Sequence, residues 1–238
     1  MTSTRPSAHP VPDVAHELPE PAPGWAPACV VFDCDGILMD TEATWARVQR
    51  IVAERNGLAY TEATQRRMMG WSAGDVAAAI ADAARADRAA VLADVLRTEA
   101  EALEGHIVAL PGALETVRSF AGRMPVAVAS NSTRTILGVK LEQAGFAPHL
   151  TTWVSSDDVA HGKPAPDIYA EAVRRLGAAP GEALAVEDSV AGAASAVAAG
   201  LVVVAVPSVP DGDPVPAHLR APSLTDPAFR ALVARWAG

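Results

Sequence analysis

The chain has 238 residues, of which 50% are hydrophobic and 20% charged, a globular composition long enough for one core domain and an insertion. Its formal net charge of -9 argues against a nucleic-acid-binding surface, which requires a basic face. No stretch approaches the roughly 20 apolar residues that span a membrane, and the N-terminus lacks a secretory signal. We therefore expect a soluble, cytoplasmic protein.

The N-terminal segment, residues 1–27, contains proline throughout, a composition typical of an extended or disordered leader. We expect the α/β core to comprise residues 28–40 and 106–238. A helical domain of residues 41–105 is expected between these two parts. The sequence carries no signal of the oligomeric state.

The first strand is predicted at Cys29–Phe32, an apolar run that leads directly into the acidic motif Asp33-Cys34-Asp35-Gly36. Along an extended chain, Cys29 and Cys34 would lie about 16 Å apart, whereas a disulfide places two Cα atoms about 5.5–6 Å apart. These are the two cysteines of the chain. We expect both to be reduced, and they form no zinc site with histidine.

About ninety residues separate this strand from the next, far more than one crossover helix needs. The interval is rich in alanine and has no strand signal, so it predicts a helical domain inserted into the core. Its helices are predicted at Thr41–Asn56, Glu62–Met69, Ser72–Ala84 and Arg88–Glu104, with Gly57, Gly70 and Gly105 as their ends.

Four further apolar runs predict strands, and helical patterns that end at glycines lie between them. The runs are almost continuously apolar, which is typical of strands covered on both faces. Together they predict a doubly wound, mainly parallel, Rossmann-like α/β sheet. The strands are predicted at Val126–Ala129, Thr152–Val154, Leu184–Val186 and Val202–Val206, and the helices at Ala113–Ala121, Thr133–Ala144, Asp167–Leu176 and Ser189–Ala199.

The C-terminal part is predicted to be a proline-rich loop, Pro207–Pro227, followed by a short helix. This last helix is predicted at Pro227–Trp236, with proline at its first position, where the missing N–H does no harm.

Polar side chains follow the carboxyl ends of these strands, where open α/β sheets bind their ligands. Carboxylates at this edge suit a hard cation such as Mg²⁺, and a carboxylate can also attack phosphorus to form a covalent intermediate. A lysine and hydroxyl or amide groups can stabilise phosphoryl oxygens. The candidate residues are Asp33, Asp35, Ser130, Asn131, Lys163, Glu187 and Asp188.

Each motif also has a structural interpretation. The acidic motif after the first strand can be a turn, and Ser130-Asn131 can cap the following helix. Lys163 can be a solvated loop charge, and Glu187-Asp188 can be a favourable acidic start of a helix. The convergence of all four motifs on one edge favours a phosphoryl-transfer site.

The four motifs resemble those of the haloacid dehalogenase superfamily, in its magnesium-dependent phosphatase and phosphomutase branch. The match runs from about Cys29 to Val206, and the motifs occur in the family's order. They read VFDCDGILMDTE, VAVASNS, GKPAPDIY and VEDSVAGAASAVAAG.

The resemblance implies a role for each matching residue. Asp33 would be the nucleophile and a metal ligand, and Asp35 the general acid and base that also binds the metal through its backbone carbonyl. Glu187 and Asp188 would complete a Mg²⁺ site, and the inserted helices would form a cap over the substrate. The residues that would hold the phosphoryl group of a small phosphorylated metabolite are Ser130, Asn131 and Lys163.

Three other functions remain open. A β-phosphoglucomutase-like phosphomutase, by resemblance, has a histidine twelve residues after its nucleophile, where this chain has Trp45. It also has a lysine and an arginine around a cap-loop glycine, where this chain has Met69 and Ala73. A metal-free dehalogenase lacks the acid found here at Asp35. A non-catalytic phospho-acceptor places its acceptor on a middle strand and has no large helical insertion.

Overall fold

The computed structural model describes residues 17–68, 71–103, 107–207 and 214–238. Contacts within the described residues define two compact units, a helical unit that includes residues 41–68 and 71–103 and an α/β unit that includes residues 17–40, 107–207 and 214–238. In chain order the helices are α1 (Glu42–Arg55), α2 (Glu62–Met68), α3 (Ala73–Ala84), α4 (Arg88–Ala102), α5 (Ala113–Ala121), α6 (Arg134–Gln143), α7 (Asp167–Leu176), α8 (Val190–Ala198) and α9 (Pro227–Ala237).

The α/β unit is built on a parallel six-stranded sheet in the order β3-β2-β1-β4-β5-β6. The first strand lies inside the sheet, where Val31 is in register with Ala127 on one side and Ala185 on the other. Successive strands run outward in opposite directions from this point, so the β1–β4 boundary is the topological switch point. The strands are β1 (Cys29–Phe32), β2 (Val126–Ala129), β3 (Thr152–Val154), β4 (Ala183–Glu187), β5 (Val202–Ala205) and β6 (Leu219–Arg220).

Helices cover the sheet on both faces. Cys29 and Val31 belong to a buried cluster that includes residues of α7 and α8. Phe32 lies on the other face, because neighbouring side chains of a strand point in opposite directions, and its ring is 6.1 Å from that of Phe120 in α5. Every residue of β1, β2 and β4 is buried, which explains their continuous apolar runs. The predicted fold class is confirmed.

Each predicted helix and strand is found in the described residues with its ends shifted by at most two residues, and the predicted ends Met69 and Glu104 lie outside them. The C-terminal segment differs from the prediction. Leu219–Arg220, assigned from sequence to a proline-rich loop, forms the edge strand β6 parallel to β5. Backbone N–H groups of His218 and Ala221 donate to carbonyls of β5 at 3.0 and 2.9 Å. That prediction was wrong for these two residues, because pairing with β5, rather than local propensity, makes them a strand.

The assigned leader also differs in part from the expectation. Residues 1–16 lie outside the described residues, but residues 17–27 contact the α/β unit. The Leu18 N–H donates to the Ala217 carbonyl at 3.0 Å, and the Trp25 indole donates to the Gly181 carbonyl at 3.0 Å. The Trp25 ring also packs edge-on against Trp236 of α9, with centroids 5.8 Å apart. Residues 17–27 are therefore not a disordered leader, because aromatic burial and backbone pairing fix them.

The helical unit has a hydrophobic core of its own, formed by the buried faces of α1, α3 and α4 with Met68 of α2. The helices α3 and α4 begin at side-chain caps, since Ser72 accepts from the Asp75 N–H and Asp87 from the Ala90 N–H. Gly57 follows α1 with a φ of 74°, as predicted for a helix end. The other two predicted end residues, Gly70 and Gly105, lie outside the described residues.

The helices of the described segments are too short or too polar to cross a lipid bilayer. Cys29 and Cys34 are both free and buried, as expected from their spacing.

Candidate active site

The sheet brings the predicted residues to one edge. Asp33 directly follows β1, Ser130 and Asn131 follow β2, Lys163 lies in the loop after β3, and Glu187 ends β4. Parallel strands end on the same side of a sheet, so residues distant in sequence meet at the switch point. Their side chains form two linked groups of contacts, one around Lys163 and one around Asp35.

Lys163 is a buried cation between two acids. Its ammonium group contacts Asp33 Oδ1 and donates to Glu187 Oε1 at 2.7 Å. It also lies over the ring of Tyr169 in α7, 5.0 Å from the ring centroid. An unpaired buried ammonium would be costly, so these partners compensate for its desolvation.

The side chain of Asn131 holds the backbone of Lys163 in place through two hydrogen bonds. Its Oδ1 accepts from the Lys163 N–H at 2.8 Å, and its Nδ2 donates to the Lys163 carbonyl at 3.2 Å. A Cβ atom at Gly162 would come 2.5 Å from Asn131 Oδ1, so glycine is required for this approach. The Asn131 side chain therefore supports Lys163. The cap of α6 is Thr133 rather than Ser130 or Asn131.

Glu187 is fully buried and saturated with hydrogen bonds. Oε1 accepts from Lys163 and from the Tyr169 hydroxyl at 2.8 Å. Oε2 accepts from the backbone N–H groups of Asp188 and Ser189 at 3.0 and 3.1 Å, and from the Ser189 hydroxyl at 3.1 Å. Five donors exceed the roughly four lone-pair positions of a carboxylate, so this side chain is fixed in one orientation.

A cluster of carboxylates suitable for a hard cation lies beside Lys163. Asp33, Glu187 and Asp188 each offer an oxygen within 4.8 Å of the others. An all-oxygen set of acidic ligands matches the preference of Mg²⁺. Together with Asp35, these residues give four carboxylates, and two ammonium groups, those of Lys163 and Lys140, lie beside them. With all six groups ionised, the site carries two excess negative charges, which one divalent cation would neutralise.

Gly36 allows the turn after β1 to approach Asp188. Its φ is +90°, a conformation that side-chain-bearing residues rarely adopt, and its N–H donates to the Met39 carbonyl at 2.9 Å. A Cβ atom at this position would overlap the Asp188 carboxylate. Glycine is therefore required here by both backbone conformation and space.

We expect Gly36→Ala to weaken the binding of a divalent cation such as Mg²⁺ at the carboxylate cluster by about 10–100-fold, the effect usual when the support of a metal-binding side chain is displaced. Gly145→Ala is the matched control, because Gly145 also has a positive φ, +78°, but has nothing within 4 Å of the added methyl group. Both variants should lose about 1–2 kcal/mol of stability to backbone strain. Thermal unfolding and calorimetric Mg²⁺ titration measure the two effects. Equal Mg²⁺ affinities in the two variants would contradict this account.

Asp35 belongs to the second group of contacts. Lys140 of α6 donates to its Oδ1 at 2.8 Å, and the Ser130 hydroxyl lies 3.5 Å from its Oδ2. The Asp35 side chain is 36% exposed, whereas that of Lys140 is 5% exposed. Asp35 therefore presents part of its carboxyl group to solvent while a buried cation holds the other part.

Burial governs the protonation of the first group. It raises the pKa of Asp33 to about 7, an effect that Lys163 opposes and that Glu187 and Asp35 reinforce. Burial disfavours the charge of Lys163, but Asp33 and Glu187 together raise its pKa above the usual value. Burial, together with Glu187, also raises the pKa of Tyr169, which remains a hydrogen-bond donor. A divalent cation at the carboxylate cluster would favour the ionised form of Asp33.

Two residues of the site, Lys140 and Tyr169, were not predicted from the sequence. Tyr169 lies within the third motif, but its contact with Glu187 depends on how α7 packs on the sheet. Lys140 lies ten residues beyond Ser130 in a helix, outside every motif. One signal could have identified it, because Lys140 and Lys163 are the only lysines among the 19 Lys and Arg residues of the chain.

Comparison with known proteins identifies several phosphatases among the relatives. The chain is 32% identical over 176 residues to fructose-1-phosphate phosphatase YqaB of Escherichia coli, covering 73% of this chain and 93% of that protein. It is 33% identical over 181 residues to the phosphorylated carbohydrates phosphatase of Thermotoga maritima, covering 72% and 81%. It is 32% identical to a bifunctional riboflavin kinase/FMN phosphatase of Arabidopsis thaliana, but that match covers 77% of this chain and spans only 49% of that protein.

Solved structures share the fold. CbbY from Rhodobacter sphaeroides, in complex with phosphate, superposes with a TM-score of 0.75 at 22% identity, covering 87% of this chain and 99% of that chain. β-Phosphoglucomutase from Clostridium difficile superposes with a TM-score of 0.74 at 16% identity, covering 88% and 98%. The haloacid dehalogenase-like hydrolase family model matches residues 27–200. With this match and with relatives above 30% identity, the chain belongs to the haloacid dehalogenase-like hydrolase family.

Proposed function

We propose that this protein is a Mg²⁺-dependent phosphatase that hydrolyses a small phosphorylated metabolite, such as a sugar phosphate, through an aspartyl-phosphate intermediate. One observation carries the proposal: a buried lysine contacts a carboxylate that lies within an acidic cluster at the switch point of the sheet. The arrangement supplies a nucleophile, a cation for phosphoryl oxygens and metal ligands in one place.

The carboxylate cluster fits a magnesium ion. Asp33, Asp188 and the backbone carbonyl of Asp35 would hold it, and the ion would offset charge on the phosphoryl oxygens. Glu187 lies within the cluster, but its five hydrogen bonds commit it to orienting Lys163. We therefore assign Glu187 primarily to support of that lysine.

The reaction proceeds in two displacements on phosphorus. In the first, an Asp33 carboxylate oxygen attacks, the bond to the ester oxygen breaks, and the protonated Asp35 gives its proton to the leaving alkoxide. In the second, Asp35 takes a proton from water, whose oxygen attacks phosphorus and releases the Asp33 carboxylate and inorganic phosphate. Two displacements replace one difficult step, and Asp35 returns to its protonated form.

We assign Lys163 and Ser130 to binding the oxygens of the phosphoryl group. The ammonium group of Lys163 adjoins the nucleophilic oxygen, where charge accumulates as phosphorus is attacked. The hydroxyl of Ser130 lies at the same strand edge, close to Asp35. Asn131 contributes by holding the Lys163 backbone in place.

We propose that the helical unit, residues 41–105, is a cap that covers the substrate. Both connections to it leave the α/β unit beside the catalytic turn. The two connecting segments are hydrogen-bonded to each other there. The Leu110 N–H donates to the Leu38 carbonyl at 2.9 Å, and Met39 and Ala109 form an antiparallel β-bridge. The two connections to the insertion therefore start next to the turn that carries Asp33 and Asp35, which supports the proposed role.

A phosphate-release screen tests the proposed function. The purified protein is incubated with sugar phosphates, hexitol phosphates, phosphoglycolate and FMN, each with and without Mg²⁺. We expect release of inorganic phosphate from at least one monoester in the presence of Mg²⁺. Sugar phosphates are the first choice because relatives with over 70% of this chain aligned are named for carbohydrate phosphates. Absence of phosphate release from the whole panel would contradict the proposal.

Removal of the metal should abolish activity. We expect chelation followed by dialysis to lower the rate of phosphate release by at least about 100-fold, since the metal contributes several kcal/mol of charge stabilisation. Adding back Mg²⁺ should restore the rate, and a chelator already saturated with Mg²⁺ serves as the control. Full activity after metal removal would contradict the metal assignment. Halide release from a 2-haloacid without metal would instead identify a dehalogenase.

A phosphomutase is the second candidate, because the fold is shared with a β-phosphoglucomutase. Trp45, at the position of the mutase histidine, is partly buried and packs against the core of the helical unit. Ala73 is buried at the start of α3, and Met69 lies outside the described residues. None of these three residue types supplies the imidazole, ammonium or guanidinium group that the mutase has at the matching positions, which favours hydrolysis. An isomerised sugar phosphate without free phosphate would support the mutase instead, and a stable phosphoprotein without turnover would support a phospho-acceptor.

A further inference from the structure

We infer that Lys140 is a positioning residue that holds the carboxyl group of Asp35 in the orientation needed for proton transfer. The inference rests on the proposed function and adds a residue to it. Lys140 lies in α6, outside the four motifs, and nothing in the sequence pattern around it suggests a functional role.

Lysine is a rare residue in this chain. Of the 19 Lys and Arg residues only Lys140 and Lys163 are lysines, and both contact carboxylates of the candidate site. All the others are arginines, including those that form ion pairs at exposed positions, such as Arg88 and Arg174. A lysine ammonium is a compact charge with three donors, whereas a guanidinium is a larger planar group. The two lysines thus occur where a compact buried cation is needed.

The geometry around Lys140 forms a closed ring of four residues. The ammonium donates to Asp35 Oδ1 at 2.8 Å and to the Ser132 hydroxyl at 3.0 Å. The Ser132 N–H donates to the Ser130 hydroxyl oxygen at 3.1 Å, and that hydroxyl lies 3.5 Å from Asp35 Oδ2. Side chains on a helix lean toward its N-terminus, which directs Lys140 back toward β2.

The ring is anchored to the sheet. Ser130 follows β2, and its N–H donates to the carbonyl of Val154 in β3 at 3.0 Å. The Ser132 carbonyl accepts from the Ser156 N–H and hydroxyl at 3.1 and 3.2 Å. Because these backbone groups are fixed by the sheet, the ammonium group of Lys140 is held in place and in turn holds the Asp35 carboxyl group.

The contact also distinguishes the two oxygens of Asp35. Lys140 holds Oδ1 and the Ser130 hydroxyl lies near Oδ2, and we assign the proton exchanged with the leaving group and with water to Oδ2. A carboxyl group that rotates freely would present this oxygen correctly for only part of the time. Because misplacement of a catalytic group by about 1 Å can cost 10²-fold in rate, a lysine that prevents rotation has a measurable effect.

Lys140→Met tests this role, since methionine keeps the unbranched apolar stem and removes the charge. With p-nitrophenyl phosphate and Mg²⁺, the leaving group departs without a proton, so phosphorylation of Asp33 should remain fast. Hydrolysis of the phosphoenzyme needs Asp35 and should slow by about 10–100-fold. We expect a burst of nitrophenolate, accumulation of phosphoenzyme in acid-quenched samples, and a KM for an alkyl phosphate within about threefold of wild type at a reduced kcat.

Glu142→Gln is the matched control, because it removes a charge from an exposed position of the same helix and should leave the kinetics unchanged. Wild-type turnover in Lys140→Met, or a loss of kcat without phosphoenzyme accumulation, would overturn the role of Lys140. Failure of the wild-type protein to form any phosphoenzyme would instead contradict the proposed function. The two failures are therefore distinguishable.

A spectroscopic measurement tests the contact independently of turnover and of whether Lys140→Met folds. Protein with ¹⁵N-labelled lysine should give two side-chain ammonium signals, one for each lysine. In the Mg²⁺-loaded protein, we expect Asp35→Asn to shift the Lys140 signal clearly more than the Lys163 signal. An unchanged Lys140 signal would show that the two side chains do not interact, and would overturn the inference.

Discussion

Asp33→Asn is expected to reduce phosphate release by roughly 10⁴–10⁶-fold, the range found when a covalent mechanism loses its nucleophile or the group that acts with it. The amide has nearly the shape of the carboxylate but cannot attack phosphorus. The fold should survive, because Lys163 keeps its 2.7 Å contact with Glu187. Steady-state phosphate release and acid-quench trapping of phosphoenzyme measure the effect.

Asp226→Asn is the control for this substitution. Asp226 caps α9 by accepting from the N–H groups of Ala228 and Phe229, and asparagine caps helices about equally well. Its kinetics should match those of wild type. Trapped phosphoenzyme in the Asp33→Asn variant would require a different acceptor and would refute the assignment of the nucleophile.

Asp35→Asn should slow turnover of an alkyl phosphate by about 10²–10⁴-fold through loss of proton transfer. The nucleophile, Lys163 and the proposed metal ligands, including the backbone carbonyl at position 35, remain in place. With p-nitrophenyl phosphate, Asp33 should therefore still become phosphorylated, and the intermediate should accumulate because no base activates water. Quenched-flow measurement of nitrophenolate and phosphoenzyme follows both steps.

The two variants should therefore differ in kind as well as in rate. Asp33→Asn forms no intermediate, whereas Asp35→Asn forms it and fails to hydrolyse it. An Asp35→Asn variant that turned over at the wild-type rate would remove the acid and base role. Lys140→Met should resemble Asp35→Asn with a smaller effect, because it misplaces the carboxyl group rather than removing it.

The fold was predictable where local pattern and tertiary environment agree. The strands β1, β2 and β3 lie at their predicted residues, and in β1 and β2 burial on both faces demands the continuous apolar runs seen in the sequence. The edge strand β6 was missed because only two residues pair with β5 and prolines surround them. Residues 17–27 were misjudged for the same reason, since Trp25 is fixed by contacts with residues far along the chain.

The candidate site was predictable as a set of strand-end residues but not as a network. Strand ends placed Asp33, Lys163 and Glu187 on one edge, and the structure brings them into contact. The sequence could not reveal that Asn131 holds the Lys163 backbone, or that Lys140 reaches Asp35 from the last turn of α6. These contacts depend on loop paths and helix rotation, which no local pattern encodes.

The central claim is that Asp33 carries the phosphoryl group during turnover. The Mg²⁺-loaded protein, mixed with a phosphate ester that it hydrolyses, is quenched in acid, reduced with borohydride and digested for mass spectrometry. Borohydride converts an aspartyl phosphate to homoserine, so the account predicts this change at position 33, dependent on both substrate and Mg²⁺. An unmodified Asp33 during measurable phosphate release, or the same change at Asp35 or Asp188, would contradict it.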